Sequence, residues 1–242
     1  MSNKPILEVE KLNVGYQTKD GEIHAVQDVS FKVFSNEVFG IAGESGCGKS
    51  TLIKAIMRLL PENGKMDAHS IKYKDQKIDR MSENIFRNEV LWAQISLVPQ
   101  SAMNSLNPVY KVGEQIVEAI QAHTSQGKKE ARERVEELFD VVGLQSEFMD
   151  SFPHEFSGGM RQRAMIAMAL ALDPGLIIMD EPTTGLDVLV QEKILRRIRE
   201  IRKQIRSSII LITHDIAVIA EMCDRIAVMY GGRIMEQAKS ID

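Results

Sequence analysis

A predicted strand, a glycine-rich loop and a predicted helix follow one another between residues 37 and 60. The apolar run EVFGIAG predicts a buried strand. The segment STLIKAIMRLL predicts a helix, with Leu52, Ile56, Leu59 and Leu60 on one face before PENG ends it. Between them, GESGCGKST fits the pattern G-x-x-x-x-G-K-[ST]. This order predicts an α/β fold in which the loop leads from a strand of the sheet into a helix.

The loop has the composition of a phosphate-binding site. Glycine lets the chain curl closely enough for several backbone N–H groups to point at one phosphate, and the following helix N-terminus adds positive potential. We expect Lys49 to reach the β- and γ-phosphates and the Ser50 hydroxyl to ligate Mg²⁺. The predicted nucleotide-binding residues of the loop are Gly43, Glu44, Ser45, Gly46, Cys47, Gly48, Lys49, Ser50 and Thr51.

Polar side chains follow three other apolar runs, each predicted to be a short buried strand. Asp180 and Glu181 end LIIMDE, His214 follows IILIT, and Gln100 follows ISLVP. Ligands of open α/β sheets bind at the carboxyl ends of the strands, so these residues are predicted to meet there. Asp180 would hold a magnesium-bound water, and Glu181 would orient and deprotonate an attacking water. His214 would contact the γ-phosphate or position that water, and Gln100 would reach the metal or the water.

The alternation of short buried strands with helices predicts an α/β core with a mainly parallel sheet, and the resemblance of the loop to known phosphate-binding loops implies that this core is of the P-loop NTPase (RecA-like) class. The alternating segments LEVEKLNVGY and VSFKV predict an antiparallel β subdomain at the N-terminus, and RIAVMYGGRIMEQ predicts a final hairpin. Two amphipathic helices are predicted between Val112 and Val142. We predict one domain over 1–242, with a core of 1–100 and 173–242 and an inserted α-helical subdomain over 101–172.

Bulk composition excludes several classes of protein. The longest apolar run, residues 164–172, has nine residues, whereas a membrane-spanning helix needs about 20. The N-terminus lacks the pattern of a secretory signal, so a cytoplasmic location is expected. Cys47 and Cys223 lie in no zinc-ligand spacing. The net charge of −4 gives no general attraction to nucleic acid.

Taken in order, the motifs resemble those of the ATP-binding-cassette ATPases, the nucleotide-hydrolysing subunits of ABC transporters, over essentially the whole chain. The resemblance makes Gln100 the Q-loop residue, FSGGM the signature and LIIMDE the Walker B strand. It makes Asp187 the D-loop aspartate, one of the expected nucleotide-binding residues, and His214 the switch histidine. Tyr16, 27 residues before Gly43, occupies the place of the aromatic residue that stacks on adenine. ATP and Mg²⁺ are the implied cofactors.

The resemblance also explains an unusual helix start, in which Ser157 is followed by two glycines, residues that disfavour helix. Two such domains pair head to tail in this family, so Ser157, Gly158 and Gly159 would cradle the γ-phosphate of an ATP held by the other chain. The second ATPase subunit can be an identical or a related chain. Transmembrane permease subunits are the other implied partners. A peripheral location on the cytoplasmic face of the inner (cell) membrane follows.

Finer features resemble the ATPases of oligopeptide and dipeptide importers, a group that also includes nickel importers. These are QSAMNSLNPVYKVGEQI, FPHEFSGGMRQRAMIAMALALDP and DEPTTGLDV, with Met160 as the fifth signature residue. An external substrate-binding protein would act indirectly. Gly185 stands where alanine is more frequent, which would loosen the D-loop slightly. Relatives usually continue past the final hairpin, some with cysteines for an iron–sulfur cluster. The sequence here stops at EQAKSID, either because the protein lacks that segment or because the sequence is truncated, and no cluster is expected.

Two alternatives come from other classes of protein. A DNA-associated ABC-type ATPase needs a long coiled coil between the P-loop and the signature, but only 108 positions separate Lys49 from Ser157 and no sustained heptad pattern lies between them. The predicted helix 189–206 has seven basic and two acidic residues, and we read its basic side as a solvated face with Ile194, Ile198, Ile201 and Ile205 towards the core. No nucleic-acid partner is predicted. The second alternative, a small-molecule P-loop kinase, does not account for the segment FSGGM or for His214.

Overall fold

The computed structural model describes residues 4–100 and 105–240. The strands are β1 Pro5–Thr18, β2 Gly21–Phe34, β3 Val38–Ala42, β4 Gly64–Asp67, β5 Ser70–Tyr73, β6 Gln76–Lys77, β7 Ile95–Val98, β8 Leu176–Asp180, β9 Ser208–Thr213, β10 Arg225–Tyr230 and β11 Arg233–Lys239. The α-helices are α1 Lys49–Ile56, α2 Glu83–Ile85, α3 Val112–His123, α4 Lys128–Val142, α5 Gly158–Leu170, α6 Val188–Gln204 and α7 Ile216–Met222. Residues 101–104 lie outside the described part. The predicted helical subdomain begins there, and the residues SAMN of the segment QSAMN fall there.

The chain divides into two compact units, one of residues 1–87 with 208–242 and the other of residues 88–207. The first unit contains an antiparallel sheet in the order β2-β1-β5-β6, with β4 also paired to β1. The long hairpin of β1 and β2 alternates buried and exposed residues over much of its length, as expected for a sheet with one solvated face. The antiparallel N-terminal part that the sequence predicts is therefore present.

The first unit also contains parallel strands. β3 pairs in parallel with β9 on one side and with β10 on the other, while β11 pairs antiparallel with β10. Every residue of β3 and β9 is buried, which accounts for their continuous apolar sequences. Gly231 and Gly232 turn the last hairpin with φ of 53° and 81°, which fits the glycine pair read from the sequence.

The second unit pairs β7 with β8 in parallel and packs α5 against β7. Helices α3, α4 and α5 pack against one another, and the apolar stripes predicted for α3 and α4 are buried. Among the described residues, no helix is both long and apolar enough to span a bilayer. The limits 101–172 for the helical subdomain stay a prediction, because the two compact units are divided at other positions.

Two details of the predicted helices are wrong. Helix α1 ends at Ile56 rather than continuing to Leu60, and Leu59 is 44% exposed. Arg58 has a left-handed φ of 53° and donates a 2.8 Å hydrogen bond to the Met81 carbonyl, which turns the chain away from the helix axis. Ile205, predicted in the buried stripe of α6, is the C-cap residue and is only half-buried.

Candidate functional site

The glycine-rich loop follows β3 directly and is packed closely on backbone atoms. A Cβ at Gly43 would lie 2.3 Å from the carbonyl oxygen of Met229, and one at Gly48 would lie 2.3 Å from that of Ala25. Gly48 also has a φ of 106°, which L-residues rarely adopt. A Cβ at Gly46 would meet nothing within 4 Å. The loop is therefore held tightly at both ends and open at its middle glycine.

Lys49, the first residue of α1, is 5% exposed and points back across the loop. Its ammonium group donates to the carbonyl oxygens of Gly43 (2.7 Å) and Glu44 (2.8 Å) and lies 3.8 Å from the Cys47 sulfur. No side chain caps the first turn of α1, whose N–H groups have no partner within the helix. A buried ammonium beside an uncapped helix N-terminus fits a bound phosphate group.

Two further predicted residues lie near this loop in the first unit. The Tyr16 hydroxyl donates a 3.3 Å hydrogen bond to the Thr51 hydroxyl oxygen in α1, so the predicted adenine-stacking residue lies beside the phosphate-binding helix. His214 follows Thr213, whose strand partner in β3 is Ala42. Gly43 follows Ala42, so His214 and the loop leave neighbouring strands at the same edge. The His214 side chain is exposed.

The second unit brings Gln100 and Glu181 into contact, although they are 81 residues apart in sequence. The strand register explains this, because Val98 of β7 is paired with Met179 of β8. The Gln100 amide nitrogen donates a 2.8 Å hydrogen bond to Glu181 Oε2. A metal would instead be ligated by the amide oxygen of Gln100. Asp180, the last residue of β8, is 7% exposed.

A tight loop connects β8 to α6. Glu181 has a left-handed φ of 48°, an uncommon conformation for a residue that is not glycine. Its carbonyl accepts from the Thr184 N–H (3.2 Å), and its Oε2 accepts from the Thr184 hydroxyl (2.9 Å). Gly185 has a φ of 81°, so glycine suits this position. Asp187 caps α6, accepting a hydrogen bond from the Val190 N–H at 3.0 Å. Sequence reasoning missed the contact of Thr184 with Glu181.

The opening of α5 shows how a helix can begin with two glycines. Ser157 is the N-cap residue, and its hydroxyl oxygen accepts from the Met160 N–H at 3.3 Å. Gly159 is buried, and a Cβ there would lie 2.7 Å from Cγ1 of Val190 in α6. Packing between α5 and α6 is thus one physical reason for the second glycine, and no feature of the local sequence reveals it.

Two arginines that the sequence analysis did not single out support this helix start. Arg161 donates to the Phe156 carbonyl at 2.7 Å, holding the residue before Ser157. Arg163 donates to the carbonyls of Gly159 (3.3 Å) and Gly143 (2.6 Å), joining the first turn of α5 to the end of α4. Burial, with a smaller contribution from the nearby positive charge of Arg197, lowers the pKa of Arg163. The side chains of Arg161 and Arg163 thus hold the signature segment in place within the second unit.

The described residues contain no group of three His, Cys, Asp or Glu side chains suited to a metal ion. Mg²⁺ commonly takes only one or two protein ligands, together with phosphate oxygens and waters. The predicted magnesium ligands Ser50, Gln100 and Asp180 therefore stay a prediction. The structure brings Gln100 to Glu181 in one unit and Tyr16 to Thr51 in the other.

A glycine-rich loop that leads from a buried parallel strand into an uncapped helix, with a buried lysine at its start, defines a P-loop nucleotide-binding protein. The family model described as ABC transporter matches residues 26–184. A second model, described as AAA domain, putative AbiEii toxin, Type IV TA system, matches residues 152–220. The chain belongs to the ABC transporter family and is an ATPase of that family.

Individual relatives agree with this assignment. The chain is 44% identical over 234 residues to the dipeptide transport ATP-binding protein DppD of Bacillus subtilis (strain 168), covering 96% of this chain and 70% of the relative. It is 44% identical over 239 residues to the oligopeptide transport ATP-binding protein OppD of Salmonella typhimurium, covering 98% of this chain and 71% of the relative.

Solved structures confirm the predicted fold class. The dimeric, ADP- and Pi-bound post-hydrolysis state of the ATP-binding cassette MJ0796 superposes with a TM-score of 0.83 at 26% identity, covering 98% of this chain and 99% of that one. The structure of CbiO1 from Clostridium perfringens superposes with a TM-score of 0.81 at 29% identity, covering 98% of this chain and 90% of that one. CbiO1 is part of the ABC transporter complex cbiONQ.

Proposed function

We propose that this chain is the ATP-hydrolysing subunit of an importer of oligopeptides or dipeptides. The observation that carries the proposal is its 44% identity, over 96–98% of its length, to proteins named for dipeptide and oligopeptide transport. Met160 in the signature and the segment DEPTTGLDV agree with it. The substrate itself would be bound by other subunits, since none of the motif residues has a role other than nucleotide binding or hydrolysis.

The nucleotide is proposed to bind through the loop from Gly43 to Thr51. Lys49 would exchange its two carbonyl partners in the loop for phosphate oxygens, which an ammonium can do because its three donors are not fixed in one plane. The first-turn N–H groups of α1 would donate to the same phosphates. Tyr16 would support the adenine, since its hydroxyl already contacts Thr51 on that helix.

Hydrolysis is proposed to use Glu181 as the general base and His214 as a contact to the γ-phosphate. When bound, Mg²⁺ would supply positive charge to the phosphates; Ser50, Asp180 and Gln100 are the residues proposed to hold it. Glu181 would orient the attacking water and accept its proton. Asp187 would keep α6 and the D-loop in place through its cap on Val190.

The proposed partners are the other subunits of a transporter. A second ATPase subunit, identical or related, would receive Ser157, Gly158 and Gly159 at the γ-phosphate of its own ATP. Transmembrane permease subunits would respond to the opening and closing of that dimer, and an external substrate-binding protein would act through the permease. The location would be peripheral, on the cytoplasmic face of the cell membrane. No nucleic-acid partner is proposed.

Glu181→Gln tests the hydrolysis step. The variant keeps the size and most hydrogen bonds of the side chain but cannot accept a proton, so kcat should fall roughly 100-fold or more while ATP binding persists. Steady-state phosphate release and binding of a fluorescent ATP analogue measure the two quantities. Size-exclusion chromatography with ATP should reveal a trapped dimer. A kcat equal to that of the wild type would remove Glu181 from the proposed mechanism.

The transport proposal needs the membrane partners. The full chain, affinity-purified from native membranes, should carry permease subunits that mass spectrometry identifies. Proteoliposomes containing that complex and its binding protein should hydrolyse ATP faster with dipeptides or oligopeptides than without them. Stimulation by Ni²⁺ but not by peptides would favour the metal-importer alternative. Stimulation of the isolated chain by duplex DNA would favour the DNA-associated alternative.

A further inference from the structure

Two donors converge on one oxygen atom of Glu181. The Thr184 hydroxyl lies 2.9 Å and the Gln100 amide nitrogen 2.8 Å from Oε2. We propose that Thr184 is a positioning residue for the Glu181 carboxylate, an inference that rests on the proposed role of Glu181 as general base. Its hydroxyl would hold the carboxylate plane in the orientation in which Glu181 accepts a proton from water.

Thr184 is suited to this role because it is attached to Glu181 twice. Besides the side-chain bond, the Thr184 N–H donates to the Glu181 carbonyl at 3.2 Å and closes a four-residue turn. Pro182 restricts the backbone inside that turn. Threonine is branched at Cβ, so its χ1 angle has few alternatives and its hydroxyl is held where the turn places it.

The second donor differs from Thr184 in its connection to the base. Gln100 approaches from the end of β7, far away in sequence, and has a long, exposed side chain. It is also a proposed magnesium ligand, a role that would use its amide oxygen. Thr184, in contrast, belongs to the same turn as Glu181 and has no proposed part in metal binding. It is therefore the donor that stays with the carboxylate when Gln100 changes partner.

The left-handed backbone of Glu181 adds a reason for such a restraint. A φ of 48° is costly for a residue with a Cβ and persists only where surrounding contacts impose it. The turn closed by Thr184 holds the Glu181 carbonyl in place, and the Thr184 hydroxyl imposes an orientation at the far end of the side chain. A base held at both ends approaches the water in one geometry, which is what efficient proton transfer requires.

Thr184→Val provides the test, with two matched variants. Valine keeps the shape and the branched Cβ but removes the donor, whereas Thr184→Ser keeps the donor. Thr183→Val makes the same chemical change one residue earlier, and among the described residues the Thr183 hydroxyl makes no hydrogen bond. Because Thr184 is exposed, valine there leaves no buried polar group without a partner. Thermal melting should show equal folding for all three variants.

We expect Thr184→Val to lower kcat for ATP roughly tenfold, with the KM for ATP unchanged, because positioning of a base affects the chemical step and not nucleotide binding. Thr184→Ser should retain most of the wild-type kcat, and Thr183→Val all of it. A wild-type kcat for Thr184→Val, an equal loss for Thr183→Val, or no rescue by serine would each overturn the inference. Glu181→Gln is measured alongside as a control. If Glu181→Gln is fully active, the proposed role of Glu181 as general base is wrong; if it is inactive while Thr184→Val has the wild-type kcat, only the inference about Thr184 is wrong.

Discussion

Replacing Gly159 by alanine should destabilise the unit formed by residues 88–207 through a contact that the structure identifies. A methyl group at this position would lie 2.7 Å from Cγ1 of Val190, well inside van der Waals contact. Val190 lies in the first turn of α6, where a β-branched side chain has one strongly preferred rotamer. The clash therefore cannot be relieved by a simple side-chain rotation.

The expected magnitude combines two opposing effects. Overpacking of this kind costs about 1–3 kcal/mol. Alanine favours helix over glycine by up to about 1 kcal/mol, and less in a first turn than in a helix interior. The free energy of unfolding should thus fall by about 1–2 kcal/mol. Val190→Ala removes the clashing methyl, so the double variant should recover most of this loss, with a coupling energy of about 1 kcal/mol or more.

Urea unfolding of the wild type, both single variants and the double variant measures this coupling. The sole tryptophan, Trp92, lies in the same unit as Gly159 and serves as the fluorescence probe. Additive effects of the two substitutions, or wild-type stability of Gly159→Ala, would refute the packing argument. ATPase activity of the double variant should stay well below that of the wild type, because the proposed phosphate contact also requires a bare helix start.

Two other predictions concern neighbouring residues. Ser157→Arg should leave ATP binding by the isolated chain intact but abolish hydrolysis, since the proposed target of Ser157 is the ATP of the partner; an equal loss of equilibrium binding would contradict the head-to-tail arrangement. Gly185→Ala should lower the free energy of unfolding by about 1 kcal/mol because of the left-handed φ of 81°, while Gly185→Asn should cost less. Equal urea midpoints for the alanine variant and the wild type would show that the turn relaxes.

The fold class could be predicted because its signals are local. The strand, loop and helix around Lys49 lie within about 20 consecutive residues, and the apolar stripes of α3 and α4 repeat at the helical period. The end of α1 could not be predicted, because leucines at 59 and 60 continue the helical pattern. The chain leaves the helix at Arg58, whose guanidinium binds the Met81 carbonyl from a segment 23 residues away.

The sequence by itself determined the kinds of residue available to the site: a loop that can curl around phosphate, acids at a strand end, and a serine before two glycines. These follow from short-range spacing and from the chemistry of each side chain. Only the tertiary structure decided which of them touch. Strand register brings Gln100 to Glu181, a turn brings the Thr184 hydroxyl to the same oxygen, and the packing of α5 on α6 leaves no room for a Cβ at Gly159. The first and the last of these contacts depend on how distant segments pack together, and no short stretch of sequence records that packing.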